Sequence, residues 1–163
     1  MAKRKRRNRT SELAEDLIAS CAGGKITRQE SLRAVRALCR HFGGLMTYIP
    51  VWGKESEGES ARALRGVVAD AVGDGAAEEI AGKIMRLYGG AQVYFPMERN
   101  AFAKAIALEI YERYDGNGAT MNDIAREYGI SGSHAYRLWR EGRREKTEAW
   151  LPFMEPAKDN NRG

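Results

Sequence analysis

Between Ser131 and Arg140 the chain carries Ser133, His134, Tyr136, Arg137 and Arg140 at spacings that share one outward face of a helix, with Ala135 and Leu138 facing inward. These side chains suit the edges of base pairs. A guanidinium at Arg137 can bridge O6 and N7 of a guanine with two hydrogen bonds, and Ser133 and His134 can reach a base edge or a phosphate. Gly132 has no side chain and lets the backbone come close. Arg143, Arg144 and Lys146 lie further along and suit phosphates, as does Ser131 at the helix start.

Such a face needs a support that fixes its angle, and residues 121–139 supply the pattern of a helix-turn-helix. Ile124 and Tyr128 face inward four residues apart, and Ala125 is small where a second helix must cross. Gly129 allows a left-handed turn, Ile130 plugs the gap between the helices, and Ser131 caps the second helix. The first helix is expected to be capped by Thr120, with Asp123 three residues on. The second is expected to run to about Lys146.

Upstream, Phe42-Gly43-Gly44-Leu45-Met46-Thr47-Tyr48-Ile49-Pro50 recurs as Tyr88-Gly89-Gly90-Ala91-Gln92-Val93-Tyr94-Phe95-Pro96, 46 positions later. Each copy follows two helical patterns. In the first, Leu13, Ala14, Leu17 and Ile18 stripe one helix. Thr27 and Glu30 form a capping box for the next, whose stripe is Leu32, Val35, Leu38 and Cys39. In the second, Ser60 caps a helix with Leu64, Val67, Val68 and Ala71, and Ile80, Ile84 and Leu87 lie inside its successor. A short alternating strand ends at each proline, Leu45–Ile49 and Ala91–Phe95. The two strands are expected to pair within the chain. Leu45, Thr47, Ile49, Ala91, Val93 and Phe95 would then pack on helices, and Tyr48 and Tyr94 would share the other face. One helix is expected over residues 98–114, and an irregular tail from Ala149 in which Trp150, Leu151 and Phe153 dock.

The chain of 163 residues has a net charge of +5, unevenly spread. Residues 1–10 hold six basic residues (Lys3, Arg4, Lys5, Arg6, Arg7, Arg9) and no acid, whereas residues 51–96 hold five basic against seven acidic. A basic tail and one basic helix fit a polyanion such as double-stranded DNA. No apolar run is long enough for a membrane span, no leader is expected at the N-terminus, and a cytoplasmic location follows by default. Cys21 and Cys39 are too few and too far apart for a disulfide framework or zinc ribbon, and read as buried thiols. Phosphodiester catalysis needs clustered carboxylates or a positioned nucleophile. The acids here are scattered and His41 and His134 lack metal-ligand spacing, so neither an enzyme nor a metal or other cofactor is expected.

Taken together, the second Gly-Gly-strand-Pro box, the following helix, Ile124-Ala125-Arg126-x-Tyr128-Gly129-Ile130-Ser131 and Tyr136-Arg137 resemble the Mor/C family of phage middle- and late-operon transcription activators over about residues 60–146. The resemblance implies a dimerisation region whose strands pair between subunits, DNA binding as a dimer, and engagement of RNA polymerase. It also implies a strand connector near the DNA, here Gly89, Gly90, Gln92 and Tyr94. The chain departs from the family at Met97-Glu98, where a basic residue is usual, and in the longer loop Asp115–Thr120. Its first box runs into Trp52-Gly53-Lys54 rather than a helix-turn-helix.

The expected fold is mostly α with a short β-ribbon: a duplicated helix-helix-strand, dimerisation-like domain followed by a helical helix-turn-helix domain. The expected segments are a basic tail 1–10, a first repeat 11–52, a linker 53–59, a second repeat 60–96, the helix-turn-helix domain 97–147 and a tail 148–163. The expected function is sequence-specific regulation of transcription as a phage or prophage activator, as a pseudo-dimer within one chain or as a homodimer. A second reading has the duplicated scaffold mainly binding a host protein such as RNA polymerase, with DNA secondary.

Overall fold

The computed structural model describes residues 9–150, with side chains from 12 to 148; the expectations for Lys3 to Arg7, for the Arg9 side chain and for Trp150, Leu151 and Phe153 lie outside these. The chain is mostly helical with a two-stranded ribbon, in two compact units, one ending at Phe102 and the other beginning at Ala103.

In the first unit, α1 (Arg9–Cys21) and α2 (Arg28–Phe42) lead to β1 (Met46–Tyr48). Then α3 (Glu59–Val72) and α4 (Asp74–Tyr88) lead to β2 (Gln92–Tyr94), and α5 (Glu98–Ala101) follows. β1 and β2 pair antiparallel within the chain, Met46 opposite Tyr94, Thr47 opposite Val93 and Tyr48 opposite Gln92. That register puts a local two-fold through the Thr47–Val93 pair, and it relates each residue of one box to its counterpart in the other. The ends of the ribbon obey it. Gly44 N–H donates to Phe95 O at 2.9 Å and Phe95 N–H to Leu45 O at 3.3 Å; Gly90 N–H donates to Ile49 O at 2.8 Å and Ile49 N–H to Ala91 O at 3.0 Å.

The Gly-Gly pair has two separate tasks in both boxes. The second glycine takes a positive φ, 84° at Gly44 and 85° at Gly90, which other residues resist. The first is the site of a close crossing. A Cβ on Gly43 would lie 2.8 Å from Met97 Cα, and one on Gly89 3.0 Å from Val51 Cα, so each copy presses on the residue after the other copy's proline.

The core of this unit is made by Ala14, Leu17, Ile18, Ala34, Val35, Leu38, Leu64, Val68, Ile80, Ile84, Ile49 and Phe95, all buried. The Thr27–Glu30 capping box forms, and Ser31 Oγ donates to Ile18 O at 2.7 Å, tying α2 to the end of α1. Lys83 on α4 donates to Cys21 O and Gly23 O, both at 3.0 Å, closing the α1 C-terminus with a side chain from the other copy. Cys21 and Cys39 are free and buried, and burial pushes their thiols up to about 11 and about 12, so neither is a thiolate at neutral pH.

Several local expectations are corrected. Leu32 and Leu87 are exposed, and Ser31, Ala34 and Met85 take the inward places. Leu45, at 60 % exposure, and Ala91 lie outward, each just before its paired stretch. Ser60 lies inside α3, which Gly58 starts without a side-chain cap. The helix expected over 98–114 is broken at Phe102, whose φ of −116° and ψ of 25° leave the helical region as its ring is buried in the first unit, with the Arg36 guanidinium 5.9 Å from its centroid.

The second unit holds α6 (Ala103–Arg113), α7 (Gly118–Tyr128) and α8 (Gly132–Trp150). Asn117, not Thr120, caps α7: its Oδ1 accepts from Ala119 N–H at 2.9 Å, while Thr120 turns to Asp115 and Asp123 pairs with Arg126. α8 continues past Lys146 to Trp150, since residues 146–150 contain no helix breaker.

Candidate nucleic-acid interface

The turn between α7 and α8 follows from three residues. Gly129 sits at φ 62° and ψ 36°, the left-handed region, and Ile130 N–H then reaches back to Ala125 O at 2.9 Å. Ser131 Oγ accepts from His134 N–H at 3.2 Å and starts α8. Beneath the turn Met121, Ile124, Ala125, Ala135 and Leu138 are buried, so the crossing of α7 and α8 is set by apolar packing.

The residues expected to read bases do not all stand alike. Ser133, Arg137 and Arg140 are exposed on α8. Arg137 keeps a loose pairing with Glu141, Nε to Oε1 at 3.9 Å, with its side chain 63 % exposed. His134 is half-buried. Tyr136 stands edge-on to Tyr114 with ring centroids 5.8 Å apart, and Tyr114 in turn packs edge-on to Trp139 at 5.4 Å. Its hydrogen bond with Tyr136 raises the Tyr114 phenol above its ordinary range. Tyr136 therefore props the start of α8 as well as facing solvent.

The residues expected at phosphates are held lightly. Arg143 lies 5.8 Å over the Trp139 ring, Arg144 pairs with Glu148 at 3.9 Å, and Lys146 pairs with Glu112 at 2.9 Å. Exposed pairs of this kind are worth about 0–1 kcal/mol, so a phosphate can replace the carboxylate at small cost.

On the ribbon, Gln92 and Tyr94 are exposed on the same face as Met46 and Tyr48. Gly89 and Gly90 are accounted for by the crossing and the positive φ already described. The two tyrosines differ. Tyr48 donates to Glu55 Oε2 at 2.8 Å, and the same oxygen accepts Val51 N–H at 2.7 Å. The Val51 amide, then the Tyr48 hydroxyl, hold the Glu55 carboxyl below its usual range, so it is charged at neutral pH. Sequence reasoning missed Glu55. The signal available was an acid five residues after the strand-ending proline of one copy only.

Around Glu98, burial alone would raise the carboxyl, but hydrogen bonds and charge from Arg40 and Arg36 outweigh it and hold it low. Arg36 Nε reaches it at 2.6 Å and Arg40 binds both its oxygens at 2.9 Å. Glu98 is thus a strut between α2 and α5.

Among the described residues no group of three His, Cys, Asp or Glu side chains is placed to hold a metal, and no helix is long and apolar enough to cross a membrane. No solved structure matches the chain. The sequence model of the Mor transcription activator family matches residues 56–150, which takes in α3, α4, β2 and all of α6 to α8. That match spans more than half of the chain, from the second helix-helix-strand copy through the helix-turn-helix, and the chain belongs to the Mor transcription activator family.

Proposed function

We propose that the chain activates transcription by placing the start of α8 in a DNA major groove, as a phage or prophage regulator of the Mor type. The observation that carries this reading is the α7–α8 turn. A left-handed Gly129, the Ser131 cap and the small buried Ala125 and Ala135 fix α8 with Ser133, Arg137 and Arg140 outward. In this reading Arg137 and Arg140 read bases, helped by Ser133 and the partly covered His134 and Tyr136. Ser131, Arg143, Arg144 and Lys146 meet phosphates, and the basic residues before Thr10 add sequence-independent attraction. Gln92 and Tyr94 on the ribbon form a further contact.

Selection of bound duplexes from a random library tests the reading, followed by titration of Arg137→Ala on an enriched and on a scrambled duplex. A guanine contact predicts a loss of ~1–3 kcal/mol on the enriched site and much less on the scrambled one. Equal losses would make Arg137 a phosphate contact. Failure to enrich any sequence would overturn the reading.

A further inference from the structure

The two halves of the ribbon are related by a two-fold, yet they are locked by different chemistry. At one end Arg36 and Arg40 reach from α2 to Glu98, two residues past Pro96. The symmetry-related positions are Gly82 and Arg86 on α4 and Trp52, two residues past Pro50. There the Arg86 guanidinium lies over the Trp52 ring, 4.2 Å from its centroid. Gly82 makes room for the indole: a Cβ on it would come 3.0 Å from Trp52 Cζ3.

The locks therefore distinguish partners. Were two chains to pair second copy to second copy, Glu98 would meet one guanidinium instead of two, beside the gap left by the missing indole at Gly82. Were they to pair first copy to first copy, Trp52 would meet Arg36, whose side chain fills the space that Gly82 leaves open. First-to-second pairing satisfies both ends. Within one chain the strands are joined by roughly 40 residues, a tether that gives this pairing a high effective concentration.

A helix-turn-helix follows the second copy alone. The ribbon's exposed face is also one-sided. Tyr48 holds the Glu55 carboxylate at the first copy's end, whereas the position related to Glu55 is Ala101. The Glu55 carboxylate thus marks the Tyr48 end of the ribbon and has no counterpart at the Tyr94 end.

Building on the DNA reading of α8, we infer that this chain is a single-headed reader. A lone chain completes its own ribbon and binds one asymmetric site with one α8, rather than an inverted repeat with two. The target is duplex DNA whose specific contacts fall within a single major-groove face.

Two measurements on the full chain test this. The first is the double variant Met46→Cys/Tyr94→Cys, whose cysteines stand directly opposite across the ribbon. Oxidised and run without reductant, it should migrate as a single crosslinked chain that reductant opens. A covalent dimer, or no disulfide, would overturn the intramolecular pairing. The second is the wild-type complex with a duplex enriched from a random library. One chain per duplex by sedimentation, a footprint on one groove face and enriched sequences without inverted symmetry are expected. Two chains per duplex on an inverted repeat would overturn the single-headed reading while leaving DNA recognition intact. Failure to enrich any sequence would sink the DNA reading and the operator class with it, and the disulfide result would still decide the pairing.

Discussion

Gly142 lies where α8 crosses α6, and it separates packing from intrinsic helix preference. A Cβ there would fall on the Ala107 carbonyl and within 2.9 Å of Tyr111 Cβ. On propensity alone Gly142→Ala would stabilise α8 by about 1 kcal/mol. The crossing reverses the sign, and overpacking of this kind costs about 1–3 kcal/mol. The midpoint of thermal or denaturant unfolding should therefore fall, and a rise would show that α6 and α8 can part without loss. In the sequence Gly142 is an interior glycine of a charged helix, with nothing local to mark what crosses it. Ala125, Gly129 and Ser131 were legible because a helix-turn-helix constrains all three at fixed separations. Arg137 shows the limit of such reading: its phase on α8 was foreseen, its loose partner Glu141 was not. On the ribbon, Gln92→Ala and Tyr94→Phe should weaken DNA binding severalfold with unfolding unchanged. Wild-type affinity in both would return the ribbon face to a purely structural role.

The α2–α5 strut is the place where an element depends on protonation. The Glu98 side chain is 14 % exposed and Arg36 15 %, so the pair lies between an exposed bridge worth up to about 1 kcal/mol and a buried one whose breaking costs about 3 or more. Glu98→Gln should destabilise the first unit at neutral pH by an amount within that interval. Because the folded carboxyl is held below its ordinary value near 4.3, its contribution is complete above that value. It is lost as pH falls through the lower, folded one. The gap between variant and wild type should accordingly close on acidification, as read by urea unfolding at a series of pH values. A gap that persists at the lowest pH would assign the loss to packing. Helix identity was legible here from apolar periodicity, and strand pairing from the repeated box. Element edges were not. Asn117 and Thr120 are both competent caps, and only the turn geometry selects Asn117. Leu32 and Leu87 sit at the margins of their stripes, and periodicity alone does not decide the burial of a marginal position. The break at Phe102 comes from the burial of its ring among residues far away in sequence, which a local pattern cannot register.

Across the whole molecule, charge is divided by task. The linker and second copy together are slightly acidic, with five basic against seven acidic residues over 51–96, while residues 131–146 hold five basic against two. Six more basic residues precede Ser11 with no acid among them. If DNA binding depends on both basic clusters, affinity must fall steeply as salt rises, because each neutralised phosphate releases condensed counterions and contributes about 0.9 to the slope of log K against log salt. Deleting residues 2–9 removes Lys3, Arg4, Lys5, Arg6, Arg7 and Arg9 together. The expected outcome is weaker binding to enriched and scrambled duplexes by the same factor, with a shallower slope for both, since contacts of this kind carry no sequence information. Arg137→Ala, by contrast, should change the ratio between the two duplexes, with little effect on slope. The two variants thus separate attraction from discrimination when titrated at several salt concentrations. A tail deletion that leaves affinity and slope untouched would confine the phosphate contacts to α8. One that lowers the ratio between duplexes would place the tail among the base-reading groups.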